Sequence, residues 1–134
     1  MLFSDPLVGP AVLVQPLLLF TSSPILLYNA AVLIALVADA TERIRVGCLV
    51  SCNTFRHPAL VAQMATTVDH VSNGRLELGF GAGWYAGEHE RFGLEFPEPP
   101  ELVDRFEEAV QVLDGLLRDE ETTFEGRHYR LRGA

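Results

Sequence analysis

Hydrophobic and polar positions divide this chain into a run of elements with clear periods. Ala30 to Thr41 is Ala-rich and free of Gly and Pro, which predicts a helix. Ile44, Val46 and Cys48-Leu49-Val50 then form a β-branched run that predicts a strand. Gly47 within it marks close backbone approach. Asn53 to His57 reads as a loop, and Pro58 suits the first turn of a helix. Leu60, Val61, Met64, Val68 and Val71 recur at helical spacing, and Ser72-Asn73-Gly74 stops them, with Gly74 fitted to a left-handed cap. Arg75 to Phe80 alternates, Leu76, Leu78 and Phe80 against Arg75 and Glu77, as a strand does. Tyr85 to Glu98 reads as an irregular acidic loop closed by Pro97, Pro99 and Pro100. Glu101 to Arg118 predicts the clearest helix, with an apolar stripe of Leu102, Val103, Phe106, Val110, Leu113 and Leu117. Thr122-Thr123-Phe124 and His128 to Leu131 flank Glu125-Gly126-Arg127 as a short hairpin.

The order is helix, strand, helix, strand, helix, hairpin. Arg43 and Arg75, where the two strands begin, lie 32 residues apart, one repeat of a parallel α/β fold. Ahead of this, Pro6 to Ala38 carries no charged side chain. Pro10, Pro16 and Pro24 interrupt it, and the longest Pro-free piece, Ile25 to Ala38, has 14 residues. That length favours a buried or partner-covered segment over a membrane span, and no Lys or Arg precedes it as an anchor. A membrane-tethered domain is the reading of this segment that remains beside it.

Composition narrows the class. The chain has 134 residues, 49% of them hydrophobic, which excludes a disordered tail. The net charge of -8 argues against a nucleic-acid partner, because such a module needs a positive footprint. Cys48 and Cys52 are the only cysteines, so no disulfide scaffold is available. Their C-x3-C spacing lacks a second Cys or His pair, so both are expected as small buried residues and no metal site is expected.

Candidate chemistry gathers where the strands end. Gly79-Phe80-Gly81-Ala82-Gly83-Trp84 leaves the carboxyl end of the second strand, the end at which α/β proteins place their sites. It departs from a dinucleotide fingerprint because Trp84 stands where the third glycine would fall. A plain turn from strand to loop explains the glycines equally. Val50-Ser51-Cys52-Asn53 leaves the first strand at the same end, although Asn53 and Thr54 also suit local capping. His57 and His89 fall on loops at this face, where cap or surface roles are favoured over ligand contact. Glu88 and Glu90 are candidate acids or solvated loop residues. No nucleophile elbow, phosphate loop or paired-His zinc helix is present.

The stretch ATERIRVGCLVSCNTFRHPALVAQMATTVDHVSNGRLELGFGAGW, then VDRFEEAVQVLDGLL and TFEGRHYRL, resembles the luciferase-like flavin and deazaflavin oxidoreductases over about residues 30 to 132. The resemblance implies a partial (β/α)8 TIM barrel. Residues 1–29 would be an apolar unmatched segment and residues 30–134 the partial barrel, with Arg43 to Val50 as barrel strand 3 and Arg75 to Phe80 as strand 4. It implies a non-proline cis peptide near Leu49-Val50, behind a ring of the isoalloxazine type. Leu49, Val50, Ser51, Gly81, Ala82 and Gly83 would pass close to the ring, Asn53 would order its loop, and Trp84 and Glu88 would line the pocket. The implied cofactor is coenzyme F420, with FMN as the alternative, and the implied activity is hydride transfer to or from a small organic substrate in a cytoplasmic enzyme. Two features depart from the family. Ser4-Asp5-Pro6 has Pro where a ring-contacting His is expected, so no catalytic acid is named, and the chain stops at Ala134 before strands 5 to 8. A fragment of the enzyme is therefore expected. The alternative is a half-barrel without a competent site, surviving as a structural remnant or burying its edges in a homodimer.

Overall fold

The computed structural model describes residues 30–134. The expectations placed on residues 1–29, the apolar segment and the Ser4-Asp5-Pro6 echo, lie outside the described residues. Helix α1, Ala30–Asp39, forms where the Ala-rich run predicts it. Thr41 Oγ1 donates to Val37 O at 2.7 Å and closes its last turn. Strand β1, Val46–Cys52, runs two residues beyond the predicted end and passes into a short 3-10 turn, Asn53–Phe55. Helix α2, Pro58–Ser72, begins with Pro58 in its first turn and with His57 Nδ1 accepting from the Ala59 N–H. It ends in two left-handed residues, Asn73 (φ 56°) and Gly74 (φ 77°), and the Gly74 N–H returns to Asp69 O at 2.9 Å.

Strand β2, Leu76–Gly81, pairs in parallel with β1. The register runs Val46 to Leu76, Gly47 to Glu77 and Cys48 to Leu78, then resumes with Ser51 to Phe80 and Cys52 to Gly81. One extra residue of β1 is therefore accommodated as a bulge between Cys48 and Ser51, and the Leu49–Val50 peptide inside it is cis, where the family resemblance implies one. A Cβ on Gly47 would collide with the Glu77 carbonyl, so the two strands need glycine there.

Helix α2 packs against both α1 and the long helix α4, Pro99–Arg118, with the sheet beneath. Ala38, Val46 and Val68 form one buried cluster with Ile34 and Leu76 against it; Val61, Ala62 and Leu113 form a second with Phe80 and Leu116. Leu76 and Phe80 thus share the helix-facing side, as their alternation requires. Arg75 does not belong to an exposed strand face. Its Nε donates to Ser72 O at 2.7 Å, one terminal nitrogen to Ile44 O at 2.6 Å and Thr41 Oγ1 at 3.2 Å, the other to Ala38 O at 2.7 Å and Thr41 O at 2.9 Å. All five N–H groups of the guanidinium are used, and the cation sits at the carbonyl ends of α1 and α2, where the helix dipoles favour it.

Three expectations are corrected. The Tyr85 to Glu98 stretch is not all loop, because Ala86–Phe92 forms helix α3. Gly93 (φ 64°) caps it, and the Leu94 N–H reaches back to His89 O at 2.9 Å, a Schellman closure. The stripe on α4 is rotated: Leu102, Ala109, Val112 and Leu113 are buried while Val103, Val110 and Leu117 are exposed. Each exposed residue stands one place after an inward-facing one, about 100° round the helix, so the sequence pattern merged two adjacent stripes. On α2, Leu60 and Val71 are exposed and Ala62 and Ala65 take the buried positions, because small residues let the neighbouring helices approach. Strands β3, Phe124–Glu125, and β4, Arg130–Leu131, pair antiparallel as the expected hairpin. Among the described residues no helix is long and apolar enough to cross a membrane.

Candidate functional site

A cavity of about 330 Å³ runs along β1 and β2, from Ile34, Met64, Val68 and Leu76 on the helix side to the carboxyl ends of the two strands. Leu49, Val50, Ser51, Gly83, Trp84 and Glu88 line it together. Five of these six reach the cleft from the bulge of β1 or the turn after β2, and Glu88 comes from the first turn of α3. Leu49 is 95% exposed and Trp84 87% exposed, so the rim carries two large apolar side chains that the described residues leave uncovered. The Trp84 ring tilts against Tyr85 at 5.4 Å between centroids. Arg56 and the half-buried thiol of Cys52 also face the cleft. Both Cys48 and Cys52 are half-buried, less enclosed than the sequence suggests.

Asn53, Gly81 and Ala82 are not among the residues lining this cleft. Asn53 is 3% exposed, and its Oδ1 accepts from the Tyr129 hydroxyl at 3.1 Å, tying the β1 turn to the hairpin. Burial pushes the Tyr129 hydroxyl above the usual phenol range, against the lowering effect of that bond. The hairpin itself is held by Glu108 on α4, whose carboxylate accepts the N–H groups of Arg127, His128 and Tyr129 at 2.8, 2.8 and 3.1 Å. Burial opposes the Glu108 charge, but the N–H groups of His128, Arg127 and Tyr129 outweigh it and hold the carboxyl below its usual value.

The glycines after β2 make room for protein. A Cβ at Gly81 would stand 2.9 Å from Val50 Cγ2. At Gly83 (φ 103°) it would stand 2.9 Å from Cys52 Sγ and 3.1 Å from Thr54 Oγ1. They bring the end of β2 and the turn after it against the bulge of β1 and the turn that follows it.

His89 is the residue that sequence reasoning misplaced. It was expected on a loop with a surface or cap role; it is 1% exposed, in the middle of α3. Phe55 and Phe96 flank its ring, each with centroids 4.7 Å away. Its Nε2 meets Thr54 Oγ1 at 2.5 Å and its Nδ1 meets Tyr85 O at 2.9 Å. The signal that α3 has a buried side was this histidine, and hydrophobic periodicity does not register it.

The luciferase-like monooxygenase family matches residues 18–134, a span that opens within the apolar segment. The chain belongs to that family. It is 36% identical over 107 residues to an F420-dependent glucose-6-phosphate dehydrogenase of Microbacterium testaceum, a match covering 79% of this chain and 32% of that protein. Two solved structures are similar in fold. The coenzyme F420-dependent tetrahydromethanopterin reductase of Methanopyrus kandleri superposes with a TM-score of 0.69 at 25% identity, over 78% of this chain and 33% of that one. The oxygenating constituent of a 3,6-diketocamphane monooxygenase of Pseudomonas putida, in complex with FMN, gives 0.67 at 26% identity, over 77% and 28%. The chain thus spans about a third of the length of the curated relatives it matches. Its described part is a partial luciferase-like (β/α)8 barrel, with β1 and β2 as neighbouring parallel strands.

Proposed function

We propose that this chain forms the cofactor-facing rim of an oxidoreductase that moves a hydride between coenzyme F420 and a small organic substrate, with FMN as the alternative cofactor. The observation that carries the reading is the cleft at the joined strand ends, walled by Val50, Ser51 and Gly83 and topped by the exposed Leu49 and Trp84. The whole cavity, about 330 Å³ from the helix side to the strand ends, lies at the small end of ligand pockets. A flat, largely apolar ring fits such walls, and the Trp84 indole offers it a stacking surface. The names of the relatives, which carry F420 and in one structure FMN, support the same choice.

When bound, the cofactor supplies the hydride chemistry. The chain's own residues bind, orient and exclude water. Val50, Ser51, Leu49 and Trp84 would hold the ring, and the Glu88 carboxylate would accept a hydrogen bond from a ligand N–H or O–H. Titration of the folded chain with F420 and with FMN, followed by ring fluorescence, tests this. Saturable binding that weakens about tenfold in Trp84→Ala is expected; absence of binding by either cofactor to a folded sample removes the reading. The self-associating half-barrel has one observation in its favour, the exposed Val103, Val110 and Leu117 on α4. Light scattering tests it, and a monomer at micromolar concentration counts against it.

A further inference from the structure

The strongest feature that the proposed chemistry leaves unused is the buried imidazole of His89. In the neutral ring its hydrogen bonds have one consistent direction. The Tyr85 carbonyl only accepts, so Nδ1 carries the proton at that 2.9 Å contact. In the neutral ring Nε2 is then an acceptor, and the Thr54 hydroxyl donates to it. The Thr54 oxygen is left to accept from the Cys52 thiol at 2.9 Å. The donors run Cys52 to Thr54 to His89 to Tyr85, each used once. The first two residues belong to the end of β1 and its turn; the last lies between Trp84 and α3. This chain of bonds is a polar link between the two turns beside the cleft, and the rings of Phe55 and Phe96 pack against the imidazole, which is 1% exposed.

We infer that His89 is a positioning residue, which pins the Trp84-bearing turn onto the end of β1 through Thr54 and so fixes the geometry of the cofactor cleft. This rests on the cofactor reading above for its effect on binding, but the pin itself is testable without any cofactor. Trp84 is the chain's single tryptophan, so its emission anisotropy reports the motion of the turn directly. Each Trp84 readout uses protein whose circular dichroism matches the wild type.

Thr54→Val is isosteric and removes the hydroxyl; Thr54→Ser keeps it. His89→Gln places an amide near Nε2 and preserves the Thr54 bond, whereas His89→Asn places one near Nδ1 and preserves the Tyr85 bond. Thr54→Val and His89→Asn are expected to lower Trp84 anisotropy and to weaken F420 binding about tenfold. Thr54→Ser is expected to restore both, and His89→Gln to restore more of the binding than His89→Asn. A general packing defect would not follow this pattern, since serine is a poorer space-filler than valine. Wild-type anisotropy in folded Thr54→Val overturns the pin. Loosening of the turn with unchanged F420 affinity overturns its role in the cleft. If wild type binds neither F420 nor FMN, the cofactor reading fails while the anisotropy series still decides the pin.

Discussion

At the start of β1 and β2, the Arg75 guanidinium gives all five of its N–H groups to Ala38, Thr41, Ile44 and Ser72. At the other end of the same two strands, Leu49 and Trp84 hold their apolar side chains out into solvent over a cleft. The contrast separates two tasks that one sheet performs. The entry end has its polar groups satisfied by the chain itself, which stabilises it and leaves nothing to offer a ligand. The exit end keeps its backbone fixed through close turns but leaves side-chain surface unspent, which is how α/β barrels divide stability from function.

The comparison can be broken from the entry end first. Arg75→Met keeps the stem and strands five oxygens, four of them backbone carbonyls; we expect a loss of about 3 kcal/mol in the stability of a folded sample, read as a shift in the urea midpoint. At the exit end, Gly83→Val meets Cys52 and Thr54 and forces a β-branched residue to positive φ, for a loss of about 2 kcal/mol by the same measurement. Glu108→Gln should cost about 1 kcal/mol, seen as faster amide exchange at Arg127, His128 and Tyr129. The Glu108 carboxyl lies below its usual value, so its contribution is complete above the ordinary Glu pKa and is lost as pH falls through the folded value. Exchange protection at those three amides should therefore fall with acid in the wild type and not in Glu108→Gln. Trp84→Ala should leave stability within about 0.5 kcal/mol, because the side chain is 87% exposed, and should weaken cofactor binding. A large stability loss there would show that the two ends are not divided as described.

The elements whose apolar spacing is strong were legible before the structure: both strands, α2, α4, and the stop at Asn73-Gly74. Helix α3 was not, since its buried side chain is a histidine and its only apolar residues, Ala86 and Phe92, stand at its two ends. The role of Arg75 was hidden for a related reason. Its partners are mostly backbone carbonyls of α1 and the following turn, more than 30 residues away, and carbonyls leave no mark on a sequence. The structure brings Leu49, Val50, Ser51, Gly83, Trp84 and Glu88, which strand-end logic singles out, to the wall of one cavity. That logic had no means of separating Asn53, which turns to Tyr129, because that bond depends on where the hairpin packs.

The bulge in β1 changes the parity of the strand. Before it, the even-numbered Val46 and Cys48 stand beside Leu76 and Leu78; after it, the odd-numbered Ser51 stands beside Phe80 and Cys52 falls in with Gly81. A strand of uninterrupted alternation commits each face to one neighbour along its whole length. Here the extra residue lets one strand serve the helix layer with one set of positions and then reassign the set. Deleting Leu49 would set Val50 opposite Gly79 while Ser51 stays beside Phe80 and Cys52 beside Gly81, so the surplus of one residue lies wholly in the bulge, and the pairing that brings the Cys52 thiol to Thr54 does not depend on it.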